Sequence, residues 1–220
     1  MNNNPIGVFD SGIGGTSIWK EINALLPNED TIYLSDSINA PYGEKSQEEI
    51  LRLSIKNTEL LLQNKCKLIV VACNTATTNT IDYLRKTYKV PFIGIEPAIK
   101  PAALQSQSKK VGVLATKGTL SSSLFHSTAE NHASGIQIME QEGTGLVPLI
   151  EAGKVSSKET KALLTTYLEP MLEEGIFFSF RMYTLPVFDS CFKENTSVAC
   201  EDYRFWRGSC QANKGYFRKI

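Results

Sequence analysis

KLIVVACNTAT, Lys67 to Thr77, governs the reading of the whole chain. An apolar, β-branched run ends abruptly in a thiol, an amide and a hydroxyl. Continuous apolar runs of this kind suit a parallel strand covered on both faces. A helical pattern follows at 75–88, so Cys73 falls at the end of a buried strand and at the mouth of a helix. The alternation recurs outward in both directions. IGVFD (6–10), TIYLSD (31–36), PFIGIE (91–96), KVGVLAT (110–116) and IQIMEQ (136–141) read as strands. Helical patterns lie near 16–26, 46–63, 97–106, 118–131 and 156–174. The last opens on Ser156, Ser157 and Glu159, a cap region. Strands alternating with helices predict a doubly wound α/β fold.

There is an internal echo. IGVFDSGIGG near the start resembles VGVLATKGT at 111–119. Two α/β halves with related loops would produce it, and so would chance similarity between two βα turns.

The totals narrow the function. The 220 residues suit one large domain or two small ones, and either can bury a core. Lys plus Arg equals Asp plus Glu, at 23 each. That balance argues against non-specific binding to nucleic acid or an anionic membrane. No run approaches the ~18 apolar residues of a membrane helix. MNNNPIGVFD lacks the basic flank and apolar core of a signal peptide, so the cytoplasm is the expected compartment. The five Cys include no C-x-x-C pair, and His126 and His132 have no Cys close in sequence. Neither a disulfide framework nor a metal site is predicted.

In such folds ligands sit beyond the carboxyl ends of the strands. Three of those ends carry chemistry: Asp10-Ser11-Gly12, Cys73-Asn74-Thr75, and Thr116 with Thr119. FDSGIGG (9–15) is not a dinucleotide fingerprint, because the third glycine position falls on Ser17. It is not a P-loop, since no Gly-Lys-Ser/Thr follows. Its glycines are expected to let backbone N–H groups approach a ligand and to relieve a turn with positive φ. A plain tight turn with Asp10 as a cap is the alternative. Cys73 at a helix N-terminus would be favoured as a thiolate by the dipole and free N–H groups. Asn74 and Thr75 offer an amide and a hydroxyl to a ligand carboxylate. The competing reading is a buried structural thiol, which is the reading for Cys66. SINAPYGEKSQEEI (37–50) is a loop whose Tyr42 and Gly43 either cover a pocket or form a surface turn.

Taken together these motifs resemble a known family. DSGIGG, then Asp36 to Gly43 as D-x-x-x-x-PYG, then ACNTAT, GIEPAIKPA (94–102), VGVLAT and LVPLIEAG (146–153) occur in the order and rough spacing of glutamate racemase. The match runs from about residue 5 to 176, and the combination is specific although each motif alone is not. The chain is similar to the cofactor-independent aspartate/glutamate racemases. The resemblance implies two doubly wound parallel-sheet domains of similar build facing a central cleft, here divided as 1–96 and 97–176, the second incomplete. It implies interconversion of L- and D-glutamate, supplying D-glutamate to peptidoglycan in cell-wall biogenesis. It implies a homodimer and no pyridoxal phosphate. Racemisation removes a proton from one face of Cα and delivers another to the opposite face, so two bases should flank the carbon. By the resemblance Cys73 is one catalytic thiol and Asp10 its orienting or proton-handling carboxylate. Ser11, Tyr42, Gly43, Asn74, Thr75 and Thr116 fall at substrate-binding positions, and Glu151 matches an acidic residue that assists the second thiol.

The resemblance breaks after residue 176. The family has Gly-Cys-Thr-His-Tyr-Pro on the next strand, where this chain reads FFSFRMYTLPVFDSC, 177–191. Residues 177–220 form a tail without family character, and disorder or misfolding is expected there. The genetic code offers an explanation. Codons for 177–190 can be chosen so that reading one nucleotide later gives SLVFGCTHYPFLIP. Met182 has the single codon ATG, and with the T that opens a Tyr codon it must yield TGT, a Cys codon. A one-nucleotide frameshift near codon 176, natural or a sequencing error, would account for the tail. The alternatives to a racemase are then a non-catalytic relic or glutamate-binding fold, and a racemase for another acidic amino acid such as aspartate.

Overall fold

The computed structural model describes residues 3–95, 99–174 and 177–180. Four parallel strands make the first sheet: β1 (Ile6–Asp10), β2 (Thr31–Ser35), β3 (Leu68–Val71) and β4 (Phe92–Gly94), in the order β2-β1-β3-β4. Three more make the second: β5 (Lys110–Ala115), β6 (Gln137–Glu142) and β7 (Phe177–Phe180), in the order β6-β5-β7, again parallel. The helices are α1 (Thr16–Leu25), α2 (Gln47–Gln63), α3 (Asn74–Thr87), α4 (Ile99–Gln105), α5 (Lys117–Leu120), α6 (Ser123–His132), α7 (Leu146–Glu151) and α8 (Lys158–Glu173). Short 3-10 turns occupy Ser37–Asn39 and Tyr42–Glu44.

The unbroken apolar strands are explained by what covers them. Phe9, Ile69 and Val71 point to one face, into a core with Ile50, Leu53 and Leu61 of α2 and Ile81 and Leu84 of α3. Ile6, Val8, Leu68 and Val70 point to the other, against Ile22 of α1. The second sheet is covered the same way. Leu114 packs with α7 and α8, while Val111, Val113 and Ala115 pack with α4 and α6. Burying each such side chain is worth about 1.5–3 kcal/mol relative to exposure, which is why both faces stay apolar.

Helix α3 shows burial overriding propensity. Its Asn74, Thr75, Thr77, Thr78 and Thr80 are poor helix formers, at up to roughly 0.7 kcal/mol each. All five are buried, and three of the threonines bond back to the main chain: Thr77 to the Val71 carbonyl at 3.1 Å, Thr78 to the Thr75 carbonyl at 3.4 Å and Thr80 to the Ala76 carbonyl at 2.7 Å.

Two helical elements differ from expectation. The helix expected over 118–131 is two, α5 and α6, parted at Ser121–Ser122. Ser122 accepts from the Phe125 N–H and donates to the Thr119 carbonyl, so the serine run competes with the helix ladder and restarts it. Helix α7 was not expected as a helix. It starts after Gly145, whose φ of +82° only glycine adopts readily, and Pro148 is tolerated because its missing N–H lies among the orphan donors of the first turn. Ser157 caps α8 by accepting from the Thr160 N–H, as its sequence suggests. Phe177–Phe180, at the start of the segment assigned to the tail, extends the second sheet as β7. The rest of that segment lies outside the described residues. No helix among the described residues is long and apolar enough to cross a membrane.

Candidate functional site

The carboxyl ends of β1, β3 and β5 converge on one cleft, and each delivers the group its sequence promised. Asp10 ends β1 and is fully buried. Its Oδ2 accepts from the N–H groups of Gly12 at 3.1 Å and Gly15 at 3.0 Å. The loop therefore wraps around the carboxylate. The expected positive φ is absent: among described glycines only Gly135, Gly145 and Gly153 adopt it. What the loop glycines provide is close approach. A Cβ on Gly15 would lie 2.6 Å from the Asp10 Cβ, and one on Gly12 would lie 2.0 Å from Glu151 Oε1.

Cys73 follows β3 as the N-cap of α3 and is fully buried. Its Sγ accepts from the Ala76 N–H at 3.3 Å, and its S–H reaches Ser11 Oγ at 3.6 Å. The thiol thus sits against an N–H group of the first turn of α3. Cys66, by contrast, packs beneath Gly7, and burial pushes its thiol up from the ordinary value of 9.0. The structural reading holds for Cys66.

The second sheet's loop closes on this point. Thr75 Oγ1 lies 2.9 Å from Thr116 Oγ1 and 3.3 Å from Thr119 Oγ1, which are 3.1 Å from each other. Asn79 donates to the Gly118 carbonyl at 2.8 Å. A Cβ on Gly43 would lie 2.5 Å from the Thr116 Cβ, and one on Gly118 would lie 2.9 Å from Thr75 Cγ2. Bare glycines thus let the 42–44 turn, α3 and α5 meet. Asn74 is buried beside Cys73.

Tyr42 is buried to 1% exposure, and its hydroxyl donates to Asp36 Oδ2 at 2.6 Å while accepting from Asn57 Nδ2 at 3.0 Å. Burial and the Asp36 hydrogen bond push its phenol far above the usual range. Its side chain is committed to the first sheet's core. Glu151 ends α7, and its Oε1 accepts from the Ile13 N–H at 3.0 Å, a bridge from the second sheet's unit to the first loop.

Tyr33 and Ser35 belong here although the sequence did not single them out. Both donate to the Gly12 carbonyl, at 3.0 and 2.7 Å. Burial first, then Asp10, Cys73 and Glu151, raise the Tyr33 phenol well above its usual range. The signal that points to them is register: Ser35 pairs with Asp10, so β2 ends beside the carboxylate. His126 and His132 sit exposed on α6. Among the described residues no group of three or more His, Cys, Asp or Glu is placed to hold a metal ion.

The site can therefore offer a thiol with a buried carboxylate beneath it, facing a cluster of hydroxyls and an amide. The Asp/Glu/Hydantoin racemase family model matches residues 6–177. The glutamate racemase of Cupriavidus pinatubonensis is 49% identical over 175 residues, covering 80% of this chain and 64% of that protein. That of Herpetosiphon aurantiacus is 46% identical over 175 residues, covering 80% and 69%. The chain thus spans about two thirds of the length of these relatives. The Escherichia coli glutamate racemase, solved in complex with L-glutamate and activator UDP-MurNAc-ala, superposes with a TM-score of 0.77 at 33% identity, covering 86% of this chain and 73% of that one.

Proposed function

The chain belongs to the Asp/Glu/hydantoin racemase family, among the glutamate racemases, and from that premise we propose that it carries one half of a site interconverting L- and D-glutamate without a cofactor. The observation that carries the reading is Cys73, buried at the N-terminus of α3 with Ser11 at 3.6 Å and opposite the threonine hydroxyls. Cys73 takes the α-proton from one face of the substrate. Asp10, held by two N–H groups of its own loop, sits beneath as the orienting or proton-handling carboxylate. Ser11, Gly43, Asn74, Thr75 and Thr116 hold the substrate carboxylates, with Thr119 completing the hydroxyl cluster and Tyr42 contributing through its backbone. A weakly acidic Cα–H needs firm carboxylate binding in a dry pocket, and a buried thiol among buried hydroxyls offers that. Glu151 assists on the opposite face. The product would serve peptidoglycan, and the enzyme would work in the cytoplasm as a homodimer, with a first domain over 1–96 and a second over 97–176.

The second face lacks its base in this sequence. Strand β7 pairs with β5 as β3 pairs with β1: Phe177 aligns with Val111, and Leu68 with Ile6. Cys73 comes two residues after β3 ends at Val71. The same count from Phe180 reaches Met182, the residue whose only codon yields Cys in the neighbouring frame. A frameshift is our account of the tail, and the nucleotide sequence tests it: a neighbouring frame that cannot encode Gly-Cys-Thr-His-Tyr-Pro removes it. The missing thiol also favours a second reading, a glutamate-binding relic without turnover. Aspartate as substrate is a weaker third.

Incubating the chain in D₂O with L-glutamate and, separately, D-glutamate decides among these. The Cα–H signal is followed by NMR and optical rotation in parallel. Exchange of one enantiomer with retention of rotation is expected of a half-site with Cys73 alone. Exchange of both with loss of rotation would mean that a second base exists. No exchange with either would leave the relic.

A further inference from the structure

We propose that Tyr33 and Ser35 are positioning residues that clamp the Gly12 peptide, and that this clamp both covers Cys73 and holds Glu151 across the cleft.

The geometry is a shared post. The Gly12 carbonyl accepts from the Tyr33 hydroxyl and from Ser35 Oγ, at 3.0 and 2.7 Å. The Gly12 N–H donates to Asp10 at 3.1 Å. The next N–H along, that of Ile13, donates to Glu151 at 3.0 Å. The Gly12–Ile13 peptide thus faces β2 with its carbonyl and α7 of the other unit with its N–H, while the N–H of the preceding peptide faces the β1 carboxylate. The orientation of a peptide plane fixes its C=O and the following N–H together, because the unit is rigid and trans. The two hydroxyls on the Gly12 carbonyl therefore set where the Ile13 N–H points, and so where Glu151 docks. Ser35 is held in turn by Ser37 at 2.6 Å, and Tyr33 lies tilted against Trp19 with ring centroids 5.8 Å apart. Both donors are braced.

The same loop lies over the thiol. Cys73 is fully buried, with Ser11, the residue before Gly12, at its sulfur. A reagent or substrate reaches Cys73 only when this cover shifts. The titratable groups around this point are Tyr33 of β2 and Tyr42 of the 42–44 turn, which both feel Cys73, and Asp10 of β1 and Glu151 of α7, which both act on Tyr33. Of these only Tyr33 and Glu151 bond the Gly12–Ile13 segment from outside the loop's own strand.

This reading rests on the proposed site for its purpose, but its test needs neither glutamate nor turnover, so the two can fail separately. The full chain is treated with iodoacetamide near neutral pH, and alkylation is followed peptide by peptide with mass spectrometry. Cys66, buried in the core beneath β1, reports global opening. The doubly substituted Tyr33→Phe/Ser35→Ala chain is expected to alkylate Cys73 about fivefold to a hundredfold faster, the shift that follows from two ordinary hydrogen bonds lost, with Cys66 unchanged. Glu151→Ala should give a similar gain, and the two changes together no more than the larger alone, because both act through one peptide. Ser35→Thr, which keeps the hydroxyl, should stay at the unsubstituted rate. An unchanged Cys73 rate in the doubly substituted chain, equal acceleration at Cys66, or gains that multiply in combination would each overturn the proposal.

Discussion

Gly12 and Gly15, three residues apart, show how much one Cβ decides. At Gly15 the added carbon meets the Asp10 Cβ at 2.6 Å and the Ala72 Cβ at 2.9 Å, neither of which can swing aside. Gly15→Ala should cost about 1–3 kcal/mol, the range of overpacking, read as a lower urea midpoint. At Gly12 the carbon meets the end of the flexible Glu151 side chain. Gly12→Ala should leave the midpoint nearly unchanged but displace Glu151 from Ile13, accelerating Cys73 alkylation as Glu151→Ala does. Equal loss of stability at both positions would refute this division. For the chemistry, Cys73→Ala should lower α-proton exchange by about 10²–10⁴-fold, the usual worth of a positioned base. NMR in D₂O reads it directly, and exchange that survives the substitution would remove Cys73 from its role. Cys73 and Asp10 were legible in sequence because each ends an apolar run, where reactive groups stand out. Tyr33 was not, since a tyrosine inside a strand reads as ordinary packing until the fold brings its hydroxyl to the Gly12 carbonyl.

At the scale of elements, α2 carries a polar stripe into the core. Ser54, Asn57 and Thr58 are all buried, but only Asn57 makes a bond that shapes the site, donating to the Tyr42 hydroxyl at 3.0 Å. The Ser54 and Thr58 hydroxyls have no hydrogen-bond partner. A bonded buried amide and an unbonded buried hydroxyl should respond with opposite signs. Asn57→Ala should destabilise by about 1–3 kcal/mol, because it leaves a buried donor–acceptor group short of its partner. Ser54→Ala should be neutral or stabilising, by up to about 1 kcal/mol. Denaturant midpoints of the two variants test this, and a clear loss at Ser54 would mean that a bonded water satisfies it. The central strands were the most legible elements, since both faces of β1, β3 and β5 are covered and these strands are buried along almost their whole length. The α5–α6 break and α7 were not legible. Each depends on a few backbone bonds at Ser122 or Gly145, which leave no period in the sequence.

The whole molecule repeats one plan: β1 and β5 sit centrally, each flanked by the next strand on one side and a later strand on the other. The echoing stretches IGVFDSGIGG and VGVLATKGT both begin in a central strand of their sheet and run on to the helix that follows. The tail was legible only as a departure, because its sequence carries neither a sustained period nor the family's next motif. One property of the entire fold follows from its buried acids. Tyr33, Tyr42 and Cys66 all resist ionisation when folded, chiefly because burial penalises the charged form. In the unfolded chain they ionise near their ordinary values, 9.0 for the thiol and 10.0 for the phenols. Above that range the unfolded state therefore binds fewer protons than the folded one, and stability falls as pH rises. Their contribution is fully present at neutral pH, starts to fall near the thiol's ordinary value, and falls more steeply once the phenols join. Urea midpoints measured from about pH 7 to about pH 10.5 should be flat at first and then decline. Tyr42→Phe should decline less steeply than the unsubstituted chain, because its phenol no longer draws the unfolded state. A midpoint that holds level through pH 10, or an unaltered slope in Tyr42→Phe, would show that these groups ionise as readily inside the fold as outside it.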